Sequence, residues 1–370
     1  MTGTVLNSEH RIIGKGETGM AFFNMEKGNS LLNFETFCGK LQASGLEPQA
    51  DRLTGMIRSC FEQKMPLKPR FHKKAMQLWL TYLITGGTEE SVDAFLEAVR
   101  AAAQSAETDS EAGPAAGLSQ NIEAGLIRGF RAADLRKREI FGDCRAEIDA
   151  IRPRWRSRVA AIYEKLPEFL SGNEKKVNFR RITEGTYGDQ YAPAFEWMEN
   201  SGIFLLCRRA GDPNAGLAMT ASDGSVKCYL ADTGLLLSHA YSAEELADGS
   251  IYSAILRGKL SMDGSMLFEN AVAQVLAAGG RSHFYYVQYS RESHRNEIGI
   301  DFVIQDRRGG SGSRIIPVEV KTGRNYSTVS IQRFREKYRG RISECYIVHP
   351  RNLEEKDGIW CIPPYMTDLI

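Results

Sequence analysis

The sequence predicts an α/β protein, helical through its first half and built on a mixed sheet at its end. Three observations predict it. Apolar residues recur at helical spacing in several blocks before residue 200, short β-branched runs begin only at Ile203, and from Asp263 onward helix-like and strand-like patterns alternate.

Along the chain, residues 1–30 carry little pattern. Helices are expected over 50–63, 71–85 and 91–102. Residues 104–120 are rich in Ala, Ser, Gly and acids, the composition of a linker or mobile loop. Helical periodicity resumes from 122 to about 170. Another amphipathic helix is expected over 189–200, with Tyr191, Ala194, Phe195 and Met198 on one face. Strands follow at 203–207 and 226–230. Helices followed by a hairpin suggest a winged-helix-like element, a fold that binds DNA or protein surfaces equally well. The last third then reads as a helix over 264–276, strands at 300–304 and 315–321 around a turn at 307–313, a helix at 328–338, and strands at 345–349 and 358–362.

At 370 residues the chain is long enough for two or three domains with their own cores. Charged residues make up 25%, and no run approaches the roughly 18 apolar residues of a spanning helix. The N-terminus lacks the basic-then-apolar pattern of a signal peptide, so a cytoplasmic protein is expected. Cys38, Cys60, Cys144, Cys207, Cys228, Cys345 and Cys361 are odd in number and never in Cys-x-x-Cys spacing, which suits reduced packing residues better than a disulfide frame or zinc site.

The chemistry concentrates near the end. Asp301 interrupts the apolar run Ile300 to Ile304, and Glu319 and Lys321 alternate with Val318 and Val320. Alternation along a strand turns Glu319 and Lys321 to one side and the valines to the other. Two acids and a lysine in apolar strands are costly unless paired or bound to a cation. Such carboxylates suit Mg²⁺ or Mn²⁺ with its waters, and the lysine would steer a phosphate or the attacking water. Glu269 adds a third acid, at the rim of the helix face formed by Phe268, Val272, Val275 and Leu276. The bland reading is a solvated acid–lysine pair, a common surface feature worth little.

Asp301 followed by Glu319-Val320-Lys321 resembles the PD-(D/E)XK nuclease-like superfamily, in which an acid on the first core helix often approaches the metal. The resemblance maps Glu269, Asp301, Glu319 and Lys321 onto one catalytic site, with Asp301, Glu319 and Glu269 as metal ligands. More narrowly, Phe268-Glu269-Asn270-Ala271-Val272, Ile300-Asp301-Phe302-Val303, Pro317 to Lys321 and Ile362-Pro363-Pro364-Tyr365-Met366 resemble the domain of unknown function that ends many prokaryotic AAA+ ATPases. Lys227 to Leu236 is similar to that family's strand and turn. Asn33 to Phe37 and Tyr82 to Gly87, followed by Glu90-Ser91-Val92, look like the ATPase lid. The implied domains are a lid-like ATPase remnant at 1–103, a linker at 104–121, a helical and winged-helix-like region at 122–240, and a restriction-endonuclease-like mixed-sheet domain at 241–370.

Two departures stand out. The family writes its acidic strand Glu-hydrophobic-Asp, whereas Gly299 stands at the first acid's position here and Glu297 lies two residues earlier. The ATPase core is also missing. Gly-Lys occurs at 14, 39 and 258, followed by Gly16, Leu41 and Leu260 where a phosphate loop needs Ser or Thr. Gly14-Lys15-Gly16-Glu17-Thr18-Gly19 fits Gly-x-Gly-x-x-Gly but lacks a preceding strand of useful length, so a flexible loop is the better reading. No ATP binding or unaided ATPase activity is expected.

Net charge is +1, but residues 128–181 hold 15 Lys or Arg against 8 Asp or Glu. Arg152, Arg154, Arg156 and Arg158, then Lys175, Lys176, Arg180 and Arg181, form two clusters that would suit salt-dependent phosphate binding, or else a solvated helical face. Two classes of function follow. One is a metal-dependent nuclease-like, DNA-binding or DNA-processing protein derived from an AAA+ ATPase family. The other is a non-catalytic nucleic-acid- or protein-binding module with a degenerate nuclease fold, partnering an ATPase.

Overall fold

The structure is a computed structural model that describes residues 31–108, 117–172, 174–182, 188–259, 263–292, 294–307 and 314–370. The glycine-rich motif at 14–19 lies outside them, and so do residues 308–313 of the expected turn. Helices come first: α1 (Phe34–Ala43), α2 (Ala50–Glu62), α3 (Pro69–Thr85), α4 (Glu89–Thr108), α5 (Gly117–Ala150), α6 (Pro153–Glu164), α7 (Leu166–Ser171), α8 (Phe179–Ile182) and α9 (Ala192–Ser201). Strands β1 (Phe204–Ala210) and β2 (Ala221–Leu230) precede α10 (Thr233–Ala240), α11 (Ala243–Leu246), α12 (Ser250–Leu256) and α13 (Asp263–Ala278). Then follow β3 (His283–Ser290), β4 (Arg295–Gln305), β5 (Ile315–Val320), α14 (Val329–Lys337), β6 (Tyr346–Val348), β7 (Glu354–Lys356) and β8 (Ile359–Ile362).

Among the described residues all eight strands join one mixed sheet in the order β2-β1-β3-β4-β5-β6-β8-β7. β1 runs antiparallel to β2 and parallel to β3, while β4 is antiparallel to both β3 and β5. The hairpin expected to be a wing therefore extends the sheet, which begins at Phe204 and not after residue 240. Its apolar run explains this: Cys207, Val226, Cys228, Tyr229 and Leu230 are all buried, too apolar for a hairpin standing in solvent. Helices α4 and α5 take up most of the expected linker, whose middle (109–116) lies outside the described residues.

The two faces of the sheet carry different cores. On one, Phe302, Ile316, Val318 and Val320 join the larger core, over which α13 packs. On the other, Ile300, Val303, Ile315 and Ile347 pack with Ile331, Phe334 and Tyr338 of α14 and its end. Between Phe284 and Tyr286 the β3–β4 register slips, so Asp301 and Phe302 together oppose Tyr285. This bulge re-aims Asp301 at the point where pairing with β5, from Phe302 opposite Val318, comes to an end.

The N-terminal helices are fastened to the sheet region by specific contacts. Phe61 stacks on Tyr346 at 6.3 Å, and Trp79 meets Phe268 edge-on at 4.8 Å. The Asn352 amide donates to Leu67 O (2.6 Å) and accepts from Leu67 N (3.2 Å). After α3, Gly86 adopts φ +87°, and a Cβ there would strike the Asp232 carboxylate. Asp232 Oδ1 accepts from Leu235 N (2.7 Å) to cap α10, and Oδ2 accepts from Gly87 N. Only glycine allows that approach. No helix among the described residues is long and apolar enough to cross a membrane.

Candidate functional site

Helix α13 carries a line of buried polar side chains facing β2 and α10. Asn270 donates to Leu230 O (3.0 Å) and accepts from Leu230 N (2.9 Å), and Gln274 accepts from Thr233 N (2.8 Å) and donates to the Tyr82 hydroxyl (3.0 Å). These bonds fix the helix in rotation and place Glu269, one residue before Asn270, against β2. There Tyr229 donates to Glu269 Oε1 (2.6 Å), and the Lys227 ammonium stands 2.8 Å from the same oxygen. Lys227 and Tyr229 share a strand face because they are two residues apart.

The second oxygen of Glu269 is taken as well. Lys175 Nζ donates to Oε2 (2.5 Å) and to the Ser265 hydroxyl (2.8 Å) one turn earlier on α13. Lys175 sits in the left-handed region at φ +50°, an uncommon setting for lysine, and Val177 N donates to Val226 O (2.9 Å) to hold its loop along β2. Burial alone would raise the Glu269 carboxyl. The Lys227 and Lys175 charges outweigh burial and hold it below the usual carboxylate range.

Lys227 links this helix site to the sheet. Its ammonium lies 3.3 Å from Asp301 Oδ1, while Asp301 Oδ2 accepts from Val320 N (3.0 Å), in place of a ladder bond beyond the end of β4–β5 pairing. Burial would depress the Lys227 ammonium, but Glu269 and Asp301 raise it above the ordinary lysine range. It is a fixed positive charge between two acids.

Glu319 is placed differently. Val318 and Val320 point into the larger core and Ile315 into the smaller, so Glu319 leaves β5 on the face that α14 covers. It is fully buried, and Lys321 Nζ lies 2.6 Å from Oε2. Among the described residues neither carboxylate oxygen receives a well-aligned hydrogen bond. Burial pushes the Glu319 carboxyl up to about 7; Lys321 opposes this, Asp301 adds to it, and the Ile331 N–H at the start of α14 opposes it more weakly. Lys321, partly exposed, is raised in turn because Glu319 and Asp301 outweigh its burial.

The four residues expected to form one site thus fall into two linked parts. Glu269 and Asp301 meet through Lys227, and Glu319 pairs with Lys321. Three carboxylates face three lysines, Lys175, Lys227 and Lys321. Among the described residues no group of three or more His, Cys, Asp or Glu is arranged to hold a metal ion. Lys227 and Tyr229 were not among the expected site residues. The signal was present: a lysine inside the apolar run from Val226 to Leu230 is as anomalous as Asp301 in its own strand.

The basic residues divide similarly. Lys175 belongs to the acid site, Lys176 pairs with Glu174 (3.0 Å), and Arg181 pairs with Glu168. Arg152 is the N-cap of α6, where Arg154 and Arg158, one turn apart, flank the Trp155 ring at 4.9 and 5.0 Å. Arg158 also donates to the Gln190 carbonyl. Arg156 turns back to the Ile151 carbonyl (3.0 Å), and Arg180 is exposed. Spacing of two on a helix does not make one face, so the four arginines do not line up.

Residues 265–365 match the family model of a domain of unknown function, DUF4143. That span runs from α13 through β8 and contains Glu269, Asp301, Glu319 and Lys321, but not Lys175, Lys227 or Tyr229. No curated protein matches the chain, and no solved structure matches it.

Proposed function

We propose that this chain is a non-catalytic nucleic-acid-binding module, built on a nuclease-like scaffold whose acid site is closed by its own lysines. One observation carries the reading: both oxygens of Glu269 and both of Asp301 already have cationic or N–H or O–H donors within the protein. The Mg²⁺ or Mn²⁺ expected from the three-acid pattern would have to displace Lys227, whose charge does the same electrostatic work. Those residues therefore do not fit a shared metal. Binding is supported by the α6 end of the molecule, where Arg154 and Arg158 lie over the Trp155 ring with no carboxylate partner among the described residues, an arrangement suited to a phosphate backbone. An ATPase partner belongs to the same reading and rests on the family resemblance alone.

A second reading, metal-dependent cleavage of nucleic acid, draws on Glu319, whose buried oxygens lack aligned donors beside Lys321. One assay separates the two. Fluorescence anisotropy with labelled single- and double-stranded DNA should give the same affinity in EDTA and in Mg²⁺ or Mn²⁺, with no cleavage on denaturing gels. Cleavage that requires Mn²⁺ and disappears in Lys321→Ala would reject the first reading in favour of the second.

A further inference from the structure

We infer that the Lys227 ammonium is a resident cation: it occupies a cation position between Glu269 and Asp301, and removing it would create a divalent-metal site there. The inference concerns the same site as the proposed function, but its truth does not depend on whether the chain cleaves nucleic acid.

Position is the first argument. Lys227 Nζ is 2.8 Å from Glu269 Oε1 and 3.3 Å from Asp301 Oδ1, so one ammonium bridges carboxylates from a helix and from a different strand. Reach to both from one point is what a bridging Mg²⁺ or Mn²⁺ requires, although the metal would draw the oxygens closer. Burial is the second. The Lys227 side chain is 7% exposed and Glu269 3%, so that carboxylate is not neutralised by solvent and needs a charge beside it, while Asp301 is 25% exposed.

The surroundings form the third argument. Tyr229 OH adds an oxygen on Glu269 Oε1, the Tyr285 ring closes one side 5.4 Å from the ammonium, and Lys175 neutralises the far oxygen of Glu269. The carboxylate oxygens around the ammonium are donors of the kind a hard divalent ion takes. A lysine supplies one positive charge that cannot dissociate. It thus fixes as permanent what a metal site would make conditional on metal concentration.

The test uses the full chain, stripped of metal, in Mn²⁺ titrations by calorimetry and electron paramagnetic resonance. Lys227→Ala, which vacates the ammonium's position, should bind one equivalent of Mn²⁺ more than the wild type. Its melting temperature should rise with Mn²⁺, and the triple variant Lys227→Ala, Glu269→Gln, Asp301→Asn should lose the extra equivalent. Equal stoichiometry in wild type and Lys227→Ala would overturn the inference. Should Lys227→Ala fail to fold without metal, the wild type still decides: an anomalous peak between Glu269 and Asp301 in crystals soaked in Mn²⁺ overturns it, and none there, with Lys227→Ala recovered by refolding in Mn²⁺, supports it. Wild-type protein that cleaved DNA with Mn²⁺ at Glu319 would refute the non-catalytic reading and leave this inference standing.

Discussion

Glu269 and Glu319 are two buried glutamates of one site, 2% and 0% exposed, yet they are held in opposite ways. On the α13 face Glu269 receives a tyrosine hydroxyl and two ammonium groups, which keep its carboxyl ionised against burial. On the α14 face Glu319 has one ammonium and the Ile331 N–H near it, neither well aligned, and burial dominates. Depth alone therefore does not decide what a buried acid does. The count and alignment of donors decide it, because an ion pair in a dry interior returns the cost of desolvation only when the remaining lone pairs are also occupied.

The comparison breaks most sharply under substitution. Glu269→Ala leaves Lys227 with Asp301 alone and Lys175 with Ser265 alone, each short of its main counter-charge, and should cost about 3–5 kcal/mol, the usual range for half of a buried pair. Glu319→Gln removes a charge that has no well-aligned hydrogen bond and leaves Lys321 with partial access to water. It should change stability by less than about 1 kcal/mol or raise it. Urea unfolding of the metal-free protein measures both. Similar losses in the two variants would mean that Glu319 has donors the geometry does not reveal.

Much of this contrast was legible in the sequence, and the rest was hidden for identifiable reasons. Alternation placed Glu319 and Lys321 together and turned Val318 and Val320 away from them, as observed. The boundaries of α2 were also readable, expected over 50–63 and found at Ala50–Glu62, whereas Glu269, expected at the rim of its helix face, is buried against β2. The bulge at Asp301 was not readable, because an extra residue in one strand shows only once its partner is known. Lys175 and Lys227 come from a loop and a strand far from the motif in sequence, and their long-range pairing has no local periodicity. Asp232 meeting Gly86 and Gly87 shows the same limit: both stretches stood out in the sequence, but nothing in either announced the other.

His283 sharpens the comparison at smaller scale, as a third buried titratable group with one side unsupported. Its Nδ1 lies 3.3 Å from the Arg281 carbonyl, and its Nε2 is buried without a partner among the described residues. Burial lowers its pKa from 6.5, against the opposing pull of that carbonyl. As pH falls below 6.5 the unfolded chain takes up a proton that the folded chain refuses, so stability is lost. Each unit of depression is worth about 1.4 kcal/mol. Replacement by phenylalanine beside Phe302 should shrink the loss of unfolding free energy between about pH 7.5 and 5.5. His239 and His349 are depressed by burial too, so part of the wild-type slope should persist. An unchanged slope in His283→Phe would show that the folded imidazole is protonated as easily as the unfolded one.

The smallest effect expected separates basic residues that are already paired with an acid from those that are not. Lys175 is committed to Glu269, and Lys176 and Arg181 each have a carboxylate neighbour. Among the described residues no carboxylate pairs with Arg154, which is exposed, or with Arg158, which is half-buried, and both stand beside Trp155. A phosphate can approach these two without first breaking an ion pair. The dependence of log affinity on log salt falls by about 0.7 to 0.9 for each phosphate no longer neutralised. Arg154→Ala with Arg158→Ala should thus flatten the slope by about 1.5, while Lys176→Ala with Arg181→Ala should flatten it by less than half as much. Anisotropy titrations at several salt concentrations measure the slopes. If the second pair flattens the slope as much as the first, the ion pairs open freely in solution, and the binding face follows the sequence cluster and not the geometry around Trp155.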